Sequence, residues 1–209
     1  MNPIQLAVEG LLDAVVAARL TEVCGFDPQP PNVKGGKGNL DKLVAAYNNA
    51  AKGSPWLVLR DLDRDADCAG VLRKKLIPAP QEWMCFRIPV RAVESWLMAD
   101  RPRFAAFARI SLGKVPVDPD ALPNPKQTLL DLVSHSPSRD LRESVVPRKG
   151  SGGREGPLYT SVLSKFALTN WRPNMAEANS ESLRRCLIQL RRTSARWRRY
   201  IVHGDAFDR

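Results

Sequence analysis

Glu9 and Asp13 stand four residues apart behind the apolar run Ile4–Val8, and Asp61 and Asp63 stand two apart behind Trp56–Arg60. Glu94 follows a third apolar run, Trp83–Val90, with Asp100 six residues further on. Carboxylates gathered at one place repel one another unless cations stand between them. A ligand set made of oxygen alone suits Mg²⁺ or Mn²⁺ and not zinc. Two such ions can work on a phosphodiester, one activating water and the other holding the leaving oxygen. Glu9, Asp13, Asp61, Asp63 and Glu94 therefore read as candidate ligands of such cations. Taken singly, each acid also reads as a helix cap or a solvated charge. What favours a site is the joint pattern, E-G-x-x-D after one strand and D-x-D after another. An EF-hand reading of Asp61-x-Asp63-x-Asp65 fails, because the glycine and the distal glutamate are missing at their positions.

Other chemistries find little support. Cys24, Cys68, Cys85 and Cys186 are scattered singly, so neither a zinc site nor a disulfide framework is expected, and the thiols read as buried and free. His135 and His203 have no neighbour at ligand spacing, which leaves a Ser-His-Asp or Cys-His mechanism without a base. A lysine beside the phosphate could stabilise the added charge or protonate the leaving group. Lys126 and Lys165 are the candidates, and each also reads as a plain surface lysine. Tyr47, Tyr159 and Tyr200 show no context for a catalytic tyrosine. The run Lys34-Gly35-Gly36-Lys37-Gly38 lacks the P-loop pattern. It is either a glycine turn whose Lys34 and Lys37 touch a nucleic-acid backbone or a connecting loop.

The elements that must position these acids follow from periodicity. The pattern predicts strands over Ile4–Val8, Trp56–Arg60 and Trp83–Val90, with a short one at Asn32–Lys34 inside the loop Asp27–Gly38. Helices are predicted over Leu11–Cys24, stopped by Gly25, from Asn39 to about Lys52, and over Cys68–Ile77. Two more run over Arg91–Asp100 and from Pro102 to about Ile110. Alternating strands and helices imply an α/β fold: a mostly parallel sheet flanked by helices, with any site along the carboxyl edge. Residues 1–112 read as this α/β domain. Residues 113–209 read as a Pro- and Gly-containing connector and a basic helical C-terminal extension, with Arg148–Gly156 as a flexible basic loop. No internal repeat is visible.

The chain has 209 residues, with 32 Lys+Arg against 22 Asp+Glu and a formal net charge of +10. Hydrophobic residues at 44% and charged residues at 26% exclude wholesale disorder. No apolar run is long enough to span a bilayer. The first apolar stretch is broken by Glu9, Asp13 and Arg19 and lacks a basic leader, so a cytoplasmic location without a signal peptide is expected. Arg184, Arg185, Arg192 and four further arginines crowd around Trp197. With a pI near 9.8, they fit salt-sensitive, sequence-independent binding to DNA, tRNA or other RNA. Arg148, Lys149 and Arg154 would add a clamp. A solvated helix face, or docking to an acidic partner, is the contrasting reading. The composition also leaves room for a homo-oligomer.

Val8-Glu9-Gly10 with Asp13, then Leu59-Arg60-Asp61-Leu62-Asp63, resembles the Toprim domain of topoisomerases, primases and the overcoming-lysogenisation-defect nucleases. More narrowly, Val33–Gly38, Val93–Asp100 and Asp118–Lys126 are similar to a bacterial Toprim-like family of uncharacterised proteins. The likeness covers residues 4–130 well and the remainder loosely. It implies a compact α/β fold, metal-dependent phosphodiester chemistry, and an ATPase partner in defence against phage. On this likeness Glu9, Asp61 and Asp63 are the central acids, and Asp13 and Glu94 belong to a second metal. Leu11-Leu12 departs from the more polar pair usual in that family. A non-catalytic Toprim-like subunit that docks on an ATPase or binds nucleic acid is the alternative.

Overall fold

The structure is a computed structural model and describes residues 1–150 and 152–203. In chain order these form β1 (Pro3–Val8), α1 (Leu11–Val23), β2 (Asp27–Pro28), β3 (Asn32–Val33), α2 (Lys37–Asp41) and α3 (Val44–Ala50). Then come β4 (Trp56–Leu59), α4 (Ala69–Leu76), β5 (Met84–Arg87), α5 (Val93–Ala99) and α6 (Arg101–Ala108). The remaining α-helices among the described residues are α7 (Pro125–Ser134), α8 (Arg139–Val145), α9 (Tyr159–Thr169), α10 (Pro173–Ala176) and α11 (Glu181–His203). The fold is α/β, with the parallel sheet and flanking helices that the alternating pattern predicts. The sheet runs β2-β1-β4-β5, and β3 joins the same edge of β1 further along. Each of these strand pairs is parallel.

The strands are apolar throughout because both faces of the sheet are covered. Side chains alternate between the two layers. Ile4, Leu6, Val8, Leu57, Leu59 and Cys85 pack with α1, α5 and the C-terminal helices. Ala7, Val58, Met84 and Phe86 pack on the opposite side with Leu40, Val44, Tyr47 and Leu72. The first layer is continuous from Ile4 to Trp197, so residues beyond 113 share the core of the α/β unit. Among the described residues no helix is long and apolar enough to cross a membrane.

Several local expectations shift. The helix predicted from Asn39 to about Lys52 is two helices, α2 and α3, meeting at Lys42–Leu43, where Leu43 relaxes to φ −105°, ψ −7°. Asn39 does not cap it; its side-chain Nδ2 donates to the Lys34 carbonyl. Asp27–Pro28, read as loop, adds an edge strand. Within residues 113–209, read as a connector and a basic helical extension, stand α7 and α8, capped by the side chains of Asn124 and Ser138. Cys68 is exposed, while Cys24, Cys85 and Cys186 are buried free thiols. Of the basic loop 148–156, Ser151 lies outside the described residues.

Candidate functional site

Parallel pairing in register brings three strand ends into line. Val8 lies beside Leu59, and Leu59 beside Arg87. The residues that follow therefore emerge along one edge, which is where open parallel sheets bind ligands. Glu9 emerges first. Its Oε1 accepts a 2.9 Å hydrogen bond from the Asp61 amide, so the exits of β1 and β4 are fastened together. The glycine loop serves the same strand end: the amides of Gly35 and Gly36 donate to the Glu9 carbonyl at 2.9 and 3.1 Å. Both glycines have positive φ, 68° and 120°, which side chains larger than hydrogen disfavour.

Asp13 sits on the first turn of α1, where its Oδ2 accepts a 2.7 Å hydrogen bond from the Gly10 amide. Asp63 and Arg91 are both left-handed, at φ 48° and 63°. They hold each other. The Asp63 amide donates to the Arg91 carbonyl at 2.9 Å, and Arg91 Nη1 donates to the Asp63 carbonyl at 2.6 Å. Such strain persists only where the surroundings over-determine it, and it gathers at functional sites. Asp61 and Asp63 do not continue an extended strand, because β4 ends at Leu59 and Asp63 is left-handed. Backbone bonds to Glu9 and Arg91 place them instead.

Glu94 is buried in the first turn of α5 and accepts a 2.7 Å hydrogen bond from Tyr159 Oη at the start of α9. Lys126 Nζ lies 4.7 Å from the Tyr159 ring centre and pairs with Glu155. Lys37 donates to Asp63 and Asp65, both at 2.9 Å. Arg60, 3% exposed, lies beneath and pairs with Asp41 and Asp65.

Glu9, Asp13, Asp61, Asp63 and Glu94 all line one cavity of about 600 Å³, rimmed by Lys37, Arg64, Arg91 and Lys126. Like charge and burial mark the acids electrically. Burial pushes the Glu9 carboxyl up to about 7, against the pull of the Asp61 amide and Arg60. Burial, and then the Glu94 carboxylate, lifts Asp13 to about 7. Burial followed by the charges of Asp13, Glu94, Glu9 and Asp63 holds Asp61 well above the ordinary carboxylate range. Burial, and then Glu94, raises the Tyr159 phenol.

The donor set is hard oxygen, and the Asp61 carboxylate accepts no hydrogen bond among the described residues. Both features fit a divalent cation of the Mg²⁺ or Mn²⁺ kind. As placed, no three His, Cys, Asp or Glu side chains among the described residues are grouped to hold one ion, and Asp63 is engaged by Lys37. Shared ligation therefore requires these side chains to rotate.

Other expected site residues lie elsewhere. Lys165 does not reach the acids; it lines a separate cleft with Phe107, Asp140 and Phe166. Asp100 is buried, with its carboxylate gripped by Arg172. Lys34 lies 5.9 Å from the Tyr47 ring centre and does not line the cavity. Arg184 and Arg185 pair with Glu181 on their own helix, and Arg192 is exposed on α11, none of them at the cavity. Arg148, Lys149 and Arg154 are exposed on the segment leading to Glu155. Tyr159, Arg91 and Glu155 were not legible as site residues. Arg60 had one signal, a cation closing an apolar strand just ahead of an acidic run. No protein-family model, curated protein or solved structure matches the chain.

Proposed function

We propose that this chain is a divalent-cation-dependent nuclease that hydrolyses phosphodiesters at the acidic cavity. The observation that carries the reading is the convergence of five carboxylates from three strand exits on one cavity, with Glu9, Asp13 and Asp61 all raised. Among these acids negative charge is in excess, and a bound cation relieves it. Glu9, Asp13, Asp61, Asp63 and Glu94 are the residues that would hold Mg²⁺ or Mn²⁺. When bound, the cation supplies Lewis acidity toward the phosphoryl group and a more acidic water. Tyr159 orients Glu94 through its hydroxyl. Lys126, at the rim, faces the added negative charge of the transition state. Arg64 and Arg91 attract the phosphate backbone from the same rim. Lys165 has no role in this scheme.

The nucleic-acid reading draws on the net charge of +10 and on exposed Arg148, Lys149, Arg154 and Arg192. The ATPase partner and the setting in phage defence rest on the family resemblance alone. A second reading, a binding or docking subunit without catalysis, draws on the Lys37 ammonium already seated on Asp63. Incubation of plasmid DNA and total tRNA with Mg²⁺ or Mn²⁺ tests the choice, wild type beside Asp61→Ala/Asp63→Ala. Nuclease function predicts cleavage that the double variant loses. Cleavage equal in both proteins, or in neither while calorimetry detects no cation, overturns it.

A further inference from the structure

A second cavity opens beside the acidic one. Leu11, Glu155, Tyr159 and Thr160 face both. Its volume is about 580 Å³, a size typical of small-molecule sites. Leu11 and Val15 of α1 form one wall, Pro31 and Val33 a second, and Thr160 and Ser164 of α9 a third. Thr160 and Ser164 are one helical turn apart and so share a face. Neither hydroxyl has a hydrogen-bond partner among the described residues. Leu11 is 65% exposed and Val33 36% exposed, so two large apolar side chains on the walls of this cavity stand partly in water.

We propose that this cavity is a nucleobase subsite, which takes the base of the nucleotide whose phosphate lies at the acids. The inference rests on the nuclease reading and adds a substrate class to it. Base and phosphate of one nucleotide are tethered through a single sugar, so a base site must adjoin a phosphate site, as these cavities do. A base is a flat apolar body with donors and acceptors along its edge. Leu11, Val15, Pro31 and Val33 meet the faces, and the two free hydroxyls meet the edge. The walls carry one charged residue, Glu155, an anion, so the pocket favours a neutral base over a second phosphate. A base paired within a duplex cannot enter a side pocket, and the substrate is therefore a single strand or an extruded nucleotide.

Fluorescence anisotropy with a short single-stranded oligonucleotide in Ca²⁺, against the same backbone made wholly abasic, tests the subsite in DNA and RNA forms. Wild type is expected to bind the intact strand about tenfold more tightly than the abasic one, through apolar burial of one base. Leu11→Ser/Val33→Ser is expected to bind both strands alike, at the wild-type affinity for the abasic backbone. Unchanged abasic binding also reports that the variant is folded. A double variant that keeps the full preference overturns the subsite while leaving the nuclease reading intact. Failure of wild type to bind either strand overturns the nucleic-acid reading, and the subsite with it.

Discussion

Lys37 places its ammonium 2.9 Å from the Asp63 carboxylate, across 26 residues of chain. It bonds Asp65 at the same distance. The hydrogen bonds to Asp65 and Asp63 raise the lysine above its ordinary range, and the bond from Lys37 lowers Asp65. A lysine so held is a built-in cation at the edge of a cavity where carboxylates outnumber cations, and it competes with any metal for Asp63. Lys37→Met is expected to tighten Mn²⁺ binding by calorimetry. Because both partners of the pair are substantially exposed, stability should change by no more than about 1 kcal/mol. An unchanged Mn²⁺ affinity removes Asp63 from the ligand set.

The raised acids make the cation-free protein sensitive to pH. Glu9 ionises near 4.5 when unfolded and near 7 when folded, so between those values the folded state holds more protons. Stability then falls as pH rises through this window. Melting temperature, measured in chelator, should decline from pH 5 to pH 8, and Mg²⁺ or Mn²⁺ should restore it at pH 8 with little effect at pH 5. A cation-independent profile would show that the acids do not share an ion.

Asp61 carries the most crowded charge in the cavity, and its ionised form is opposed by burial and by four other carboxylates. Asp61→Asn keeps the shape and removes the charge. The variant is expected to melt at a higher temperature than wild type in chelator, while cleavage is lost. Stability gained at the expense of activity is characteristic of residues retained for function. Loss of both would assign Asp61 to the framework.

Tyr159→Phe removes the hydroxyl that donates to Glu94 inside the protein. A buried hydrogen bond to a charged group is worth about 1.5–3 kcal/mol, and urea denaturation should show a loss of that order. Cleavage should fall with Mn²⁺ stoichiometry altered, since Glu94 loses its orientation. A wild-type rate together with unaltered stoichiometry would place Glu94 outside the site.

Gly156→Ala tests the wall that holds Glu155. A methyl group there would stand 2.5 Å from the Ser144 carbonyl oxygen, at a point where the Gly156 amide also bonds the Val145 carbonyl. Neighbouring backbone cannot yield cheaply, and a cost of about 1–3 kcal/mol follows, read by chemical denaturation. An unchanged midpoint would mean the backbone around Gly156 yields without cost.

By itself the sequence determined the layered α/β plan and the acids at its edge. Apolar runs such as Trp56–Leu59 specify strands locally, and parallel pairing sends all their exits to one side, so Glu9, Asp61, Asp63 and Glu94 could be grouped without coordinates. Helix breaks were less legible: α7 and α8 stand on caps at Asn124 and Ser138 amid residues that also favour loops. Tertiary structure alone decided the partners. Lys126 rather than Lys165 rims the acids, Tyr159 reaches Glu94 across 65 residues, and Asp100 belongs to Arg172 rather than to the site. The physical reason is that periodicity records which face of an element is apolar. Which distant polar group meets that element at its end is set by how α9 and its neighbours dock on the sheet, and no local pattern encodes that docking.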